Sequence, residues 1–244
     1  MIKTSSKRLK SVILVVLTIG MLFVAGPAAA IDSAKIAWLW RQPPNETIPS
    51  GGYPYTIPWV QVVAWGGPAR NVIYAGNVDV QKESTIPHGV YRSTDYGSTW
   101  TYLGQLAENG AISVLVVVPT DPNVILAGLG IDDRQGAIYR SEDGGDTWSN
   151  VLPDLLVYDI EIDPSNANVM YAAGLINGGV PTTTLAGVYK SIDEGKTWQH
   201  ISSTWFSDIA VHPTKPNVLF AARRFSTNSN EGIYRSDDSG QTWT

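Results

Sequence analysis

One octapeptide occurs four times, and it constrains the fold more than any other feature of the chain. It reads Ser93-Thr-Asp95-Tyr-Gly97-Ser-Thr99-Trp100, then Ser141-Glu-Asp143-Gly-Gly145-Asp-Thr147-Trp148. It returns as Ser191-Ile-Asp193-Glu-Gly195-Lys-Thr197-Trp198 and as Ser236-Asp-Asp238-Ser-Gly240-Gln-Thr242-Trp243. The pattern is S-x-D-x-G-x-T-W, and successive copies start 48, 50 and 45 residues apart. A period of that size marks a repeat array in which each unit is one supersecondary element and buries its faces against its neighbours.

The companions of each copy say what the unit is. A short strand signal precedes every box: Gly89 to Arg92, Ala137 to Arg140, Gly187 to Lys190, Gly232 to Arg235. A second lies further upstream, always opening on Asn: Asn71 to Ala75, Asn123 to Ala127, Asn168 to Ala172, Asn217 to Ala221. Before three of these stands a Pro turn, at Asp121-Pro122, Asp163-Pro164 and His212-Pro213; the first repeat has Gly66-Gly67-Pro68. Before each turn runs an apolar strand: 60–65, 112–118, 157–162 and 207–211. A fourth strand starts at the box Trp. Four short strands joined by turns make a propeller blade, so the expectation is all-β, a β-propeller of four-stranded blades.

Within the box, Asp accepts from turn N–H groups, Gly takes a positive φ, and Trp anchors the turn on apolar surface. The Ser and Thr hydroxyls are expected to close the turn on backbone groups. A folding device is copied once per blade and a reaction centre is not. Asp95, Gly97, Trp100, Asp143, Gly145, Trp148, Asp193, Gly195, Trp198, Asp238, Gly240 and Trp243 are therefore read as structural.

These residues resemble the Asp-box, or BNR sialidase-type repeat. The chain is similar in this respect to sialidases, xyloglucan-active glycoside hydrolases, sortilin-type Vps10 receptors and photosystem II assembly factors. The resemblance spans residues 59–244. It implies a propeller with the boxes at the blade periphery, away from the ligand face, but names no function.

Residues 1–30 read as an export signal. Lys3, Lys7, Arg8 and Lys10 precede an uncharged apolar run from Val12 to Ala25, and Ala28-Ala29-Ala30 ends it. Cleavage after Ala30 is expected, which N-terminal sequencing of exported protein checks; the alternative is an uncleaved anchor. A secreted, periplasmic or cell-surface location follows. Residues 31–58 form an N-terminal segment in which Ala34 to Trp40 could supply a ring-closing strand. The other reading of the last blade, which stops at Thr244 without a fourth strand, is that the sequence is the N-terminal piece of a larger propeller.

Beyond Ala30 there are thirteen basic against twenty-two acidic residues. That balance argues against nucleic acid or an anionic membrane as partner. Cysteine is absent, which excludes disulfides, thiolate metal sites and a cysteine nucleophile. His88, His200 and His212 match no metal spacing, so neither metal nor cofactor is expected.

Box and Pro turns fall on one face of the blades and the loops of variable length on the other, which we call the top. Those loops are 78–88, 129–136, 175–186 and 223–231. Binding residues sit preferentially on such loops. The ligand-binding candidates are Asp132, Asp133, Arg134, Tyr158, Trp205, Asp208 and Arg223, since aromatics beside carboxylates suit sugar rings. Asp79, Lys82, Glu83, His88 and Arg224 share the same loops. In the xyloglucan-active enzymes a catalytic base follows the second strand of the first blade in a Tyr-Ala-x-Thr-Asp-x-Gly-Gly context. Here the stretch is Tyr74-Ala-Gly-Asn-Val-Asp79-Val-Gln; Asp79 is close in place, the Thr and Gly-Gly are missing, and Asp79 is a weak catalytic candidate. Arg92, Arg140 and Arg235 share one repeat position with Lys190 and do not form a sialidase arginine triad. No Gly-x-Ser-x-Gly is present. The function expected is a non-catalytic exported scaffold binding a protein or glycan on its top face. The alternative is a glycoside hydrolase, xyloglucanase-like or sialidase-like, or part of one.

Overall fold

A computed structural model of the chain describes residues 59–66, 71–78, 89–107, 111–130, 136–176, 184–223 and 231–244. The leader and the segment 31–58 lie outside them. All regular structure among the described residues is β.

The first blade is β1 (Trp59–Gly66), β2 (Val72–Val78), β3 (Val90–Ser93) and β4 (Thr101–Gly104). The second is β5 (Ile112–Val117), β6 (Ile125–Leu129), β7 (Ala137–Ser141) and β8 (Ser149–Pro153). The third is β9 (Leu155–Ile162), β10 (Met170–Ile176), β11 (Gly187–Ser191) and β12 (Gln199–Ser202). The fourth is β13 (Asp208–Val211), β14 (Leu219–Arg223) and β15 (Gly232–Ser236). Every blade is an antiparallel meander in chain order. The chain is thus an all-β array of Asp-box propeller blades.

Two expectations change in detail. Fourth strands begin one residue after the box Trp, because the Trp still belongs to the turn. The last blade also has the first rung of a fourth strand: Thr244 exchanges both backbone hydrogen bonds with Arg235, at 2.8 and 2.9 Å. This is the pairing Gln199 makes with Lys190 in the third blade.

First strands of successive blades touch one another, β1 with β5, β5 with β9 and β9 with β13, so they line the inside of the array. Three apolar clusters fill the wedges between blades. One, with Tyr74, Val90, Ile112, Leu115 and Ile125, joins the first two blades. The largest, with Leu126, Ile138, Val157, Ile160 and Met170, joins the second and third. The last, with Tyr171, Val188, Phe206 and Leu219, joins the third and fourth. The box Trp belongs to these wedges: Trp148, Trp198 and Trp243 each pack against the cluster facing the preceding blade.

The step from the second blade to the third is short. After Pro153, Asp154 takes a φ of 61° and β9 begins at once, earlier than the expected start at Val157. Leu155 to Val157 then cross the top of the second blade. Gly130 and Gly136 make room: a Cβ there would lie 2.4 Å from Val157 N and 2.2 Å from Leu155 O.

The boxes are built alike. Ser141 Oγ donates to Asp143 Oδ1 (2.8 Å) and accepts from Gly145 N (2.8 Å). Asp143 Oδ1 accepts from Thr147 N (2.8 Å), and Oδ2 from the Thr147 hydroxyl (2.6 Å). Trp148 Nε1 donates to Gly145 O at 2.9 Å. The same Ser, Asp, Gly and Thr bonds recur around Asp95, Asp193 and Asp238. The Thr hydroxyl therefore bonds the carboxylate rather than the backbone expected for it; only the Ser hydroxyl closes on main-chain groups.

The box and Pro turns share a face, as expected. The amide of the fourth box residue donates to the carbonyl of the repeated Asn: Tyr96 to Asn71, Gly144 to Asn123, Glu194 to Asn168 and Ser239 to Asn217. In the Pro turns Asp121 Oδ1 accepts from Asn123 N and Asp163 Oδ1 from Ser165 N. His212 Nδ1 accepts from Thr214 N at 3.2 Å, so an imidazole performs the aspartate's task there.

Candidate functional site

The top face is where the repeats diverge, and four described candidates lie there on the third and fourth blades. Tyr158 occupies a β-bulge of β9, between the rungs Gly174–Val157 and Ala173–Asp159. β1 and β5 carry a bulge at the matching place. A bulge re-aims the side chains that follow it.

Trp205 and Phe206 lead into β13. Phe206 is fully buried in the wedge against Tyr234 and Trp243, at ring distances of 5.4 and 4.5 Å. Trp205 is half-buried, and the Arg223 guanidinium lies over its ring at 5.1 Å. Arg223 ends β14; its Nε is buried without a hydrogen-bond partner among the described residues. Asp208 opens β13 and pairs with Ala222, the neighbour of Arg223. The fold thus gathers Trp205, Asp208 and Arg223 at one end of the fourth blade, with Tyr158 on the adjacent inner strand. Asp79, Lys82, Glu83, His88, Asp132, Asp133, Arg134 and Arg224 lie outside the described residues.

Two carboxyls absent from the expected set stand next to Asp208. Asp159 and Glu161 are on β9 and face β13. Asp159 Oδ2 accepts from Ile209 N at 2.8 Å, and Glu161 accepts from Val211 N. Burial pushes Asp159 up to about 7, with the nearby Asp208 charge adding to it and the Ile209 amide opposing. Burial also raises Glu161, to about 8, reinforced by Asp159 and Asp208. Below those values each carboxyl is neutral and can donate as well as accept. Their bonds go to the backbone of the next blade, so their first task is to join β9 to β13. Among the described residues no group of three His, Cys, Asp or Glu could hold a metal ion.

Register reveals what single-copy reading missed. The position after the bulge is Val62, Val114, Asp159 and Asp208 in the four blades; two positions on it is Ala64, Val116, Glu161 and Ala210. A propeller wedge accepts valine and alanine there, as the first two blades show. Acids in the third and fourth are therefore additions to the fold, and aligning the inner strands would have found them.

A shallow cavity of about 140 Å³ lies away from this group, lined by Ala107, Tyr139, Asn150, Pro153 and Asp154. It holds none of the candidate residues.

Comparison with known proteins gives the same architecture. The family model for Sortilin-Vps10 (sortilin, neurotensin receptor 3) matches residues 136–244. A xyloglucanase of a Paenibacillus species is 27% identical over 91% of this chain and 25% of its own length. The xyloglucanase Xgh74A of Acetivibrio thermocellus is 26% identical over 64% of this chain and 22% of its own. The chain therefore spans about a quarter of the length of these relatives. Among solved structures, the GH74 enzyme of Niastella koreensis superposes with a TM-score of 0.55 at 23% identity, covering 71% of this chain and 27% of that one. An ancestral GH74 enzyme gives 0.57 at 24% identity, covering 78% and 24%.

Proposed function

We propose that this chain is a glycan-binding propeller of the xyloglucanase type, which takes a β-glucan backbone across its top face. The observation that carries the reading is the similarity to xyloglucanases along 91% of the chain rather than over the boxes alone. The residues suit the task. Trp205 offers a ring edge held in place by Arg223, and Tyr158 a second aromatic on the neighbouring strand. Asp208 supplies polar contact to sugar hydroxyls.

Cleavage needs two carboxyls on opposite sides of the glycosidic bond, one to protonate the leaving oxygen and one to act on water or the sugar. Asp79 is the candidate for one of them. Asp159 and Glu161, raised to about 7 and about 8 chiefly by burial, are held by backbone amides of β13 in the wedge between blades. The chain alone is accordingly expected to bind without turnover.

Calorimetric titration with xyloglucan oligosaccharides tests this. Saturable binding is expected, weakened about tenfold by Trp205→Ala, which corresponds to ~1.4 kcal/mol. No reducing ends should accumulate. Binding that fails for every β-glucan sinks the reading. Turnover that Asp79→Asn removes, with binding kept, would make the chain itself a hydrolase. A protein-binding scaffold is the second reading, favoured by the Sortilin-Vps10 match over 136–244; for it, oligosaccharide would not bind and Trp205→Ala would matter only for a protein ligand.

A further inference from the structure

Arg223 differs from the other described arginines in what it leaves unpaired. Arg92 pairs with Asp146, Arg140 with Glu142 and Glu194, and Arg235 with Asp237. Arg223 makes no ion pair among the described residues. Its guanidinium lies 5.1 Å from the centre of the Trp205 ring, and its Nε is buried without a hydrogen-bond partner. An aromatic face steadies a cation without using its N–H groups. A desolvated N–H that finds no acceptor costs stability.

The acids of the neighbourhood are turned elsewhere. Asp208 is in register with Ala222, and side chains alternate along a strand, so Asp208 stands on the opposite face of the sheet from Arg223. Asp159 and Glu161 spend acceptors on the Ile209 and Val211 amides. Across β15, Arg223 is in register with Gly232, which has no side chain. Ala221, two residues earlier on the same face, belongs to the cluster between the third and fourth blades. The guanidinium therefore stands at the top end of that wedge, and both blades of the wedge are among the described residues. The fold does not require it there. The sixth residue after the repeated Asn is Asn77, Leu129 and Gly174 in the first three blades. Leu129 is fully buried at that position. The arginine at 223 is thus an addition to the repeat, and it brings an unmet donor with it.

We propose that Arg223 over Trp205 is a carboxylate-reading subsite, and that the glycan taken by the top face carries a uronic acid whose carboxylate lies along the Nε edge of the guanidinium. The inference rests on the glycan-binding reading and adds an acidic sugar to it. A planar carboxylate matches two parallel N–H groups on one edge of a guanidinium. Its oxygen gives Nε the acceptor that the fold withholds, and this buried donor has no water left to lose. Beyond Ala30 acids outnumber bases, so the field of the whole chain repels an anion. A preference for an anionic sugar has to come from a local cation.

The probes are a cello-oligosaccharide and a series in which each of its glucose residues in turn is oxidised to glucuronate. Each is titrated calorimetrically into the 244-residue chain. The best of the oxidised series should bind about tenfold more tightly than the neutral sugar. Arg223→Gln and Arg223→Met should each erase that difference. Arg223→Met keeps the apolar stem and drops the orphan donor, so its melting temperature should equal or exceed that of the parent chain.

If the neutral sugar binds and none of the oxidised series binds better, the carboxylate subsite falls and the glycan reading stands. If no sugar binds, both fall. A preference that survives both substitutions puts the selecting charge elsewhere and overturns the proposal. A lower melting temperature in both variants, with equal loss of neutral and oxidised sugar, overturns it as well, because Arg223 would then be a prop of the wedge.

Discussion

The box spends more backbone strain than its glycine suggests. Its fifth residue is glycine at positive φ in all four copies: 85° at Gly97, 94° at Gly145, 77° at Gly195 and 87° at Gly240. Its fourth residue is left-handed too, and in three copies carries a side chain: Tyr96, Glu194 and Ser239 at 59 to 61°. A side chain there costs about 1–2 kcal/mol, offset by the Asn carbonyl that the amide reaches. The glycine at position five answers a second demand, and the copies differ in it. A Cβ on Gly97 would meet nothing nearer than 3.7 Å, whereas one on Gly195 would lie 2.4 Å from Leu126 Cδ2 in the wedge below. Gly97→Ala should therefore cost only the backbone term, about 1–2 kcal/mol. Gly195→Ala should cost a further ~1–3 kcal/mol for overpacking a fully buried leucine. Urea titration of the two variants measures the difference. Equal losses would mean that packing against the preceding blade is not what holds the third box glycine. The four box aspartates themselves stay ionised far into acid. The Thr hydroxyl, then the Thr amide and the Ser hydroxyl, hold Asp143 and Asp238 at about 2; for Asp95 the Thr99 amide leads, also to about 2. Burial opposes ionisation of Asp193, yet its Thr197 and Ser191 bonds still bring it to about 2.

On the inner strands the carboxyls behave in the opposite sense, and this gives a pH signature. Asp159 rises to about 7 and Glu161 to about 8, both chiefly through burial. Folding then favours the protonated forms. Their contribution is fully present below about pH 4, the unfolded value, and is lost as pH rises through 7 and 8. The box aspartates contribute above about pH 4 and lose that contribution as pH falls toward 2. Stability should form a dome between acid loss in the boxes and alkaline loss in the β9–β13 wedge. Asp159→Asn combined with Glu161→Gln removes one side of it: the melting temperature should stay level from pH 5 to 9 (roughly the window set by the two raised groups) while the parent declines. A parallel decline would show that the pair is ionised in the folded chain. Strand order and the box turn were legible in the sequence because every repeat states them again; the partner of the Thr hydroxyl was not. The wedge acids were not, because their side depends on a bulge, and alternation in one strand does not announce a bulge. The top-face candidates were legible only as residue types on variable loops or beside them between blades: Arg223 proves to lie over the Trp205 ring, while Phe206, next in sequence, belongs to the core.

For the whole molecule, stability resides in wedges between blades rather than in the blades themselves. Each apolar cluster is shared by two neighbours, so among the described residues the second and third blades are held on both sides and the first and fourth on one. Arrays of this kind owe their stability to nearest-neighbour interfaces. One repeat position can therefore be essential in one blade and idle in another. Val188 and Ile233 are that position in the third and fourth blades, at 0% and 80% exposure. Val188→Lys would bury an ammonium in the cluster around Tyr171 and Phe206 with no acid within that cluster to pair it. Removing such a charge from water costs several kcal/mol, enough to unfold a domain of ordinary stability. Ile233→Lys puts the same ammonium into solvent and removes an exposed apolar side chain, a change within about ±0.5 kcal/mol. Circular dichroism melts of the two variants in the 244-residue chain separate the cases: Val188→Lys should lack a cooperative transition, and Ile233→Lys should melt with the parent while aggregating less. Equal sensitivity of the two positions would mean that the wedge is not the unit from which this fold is assembled.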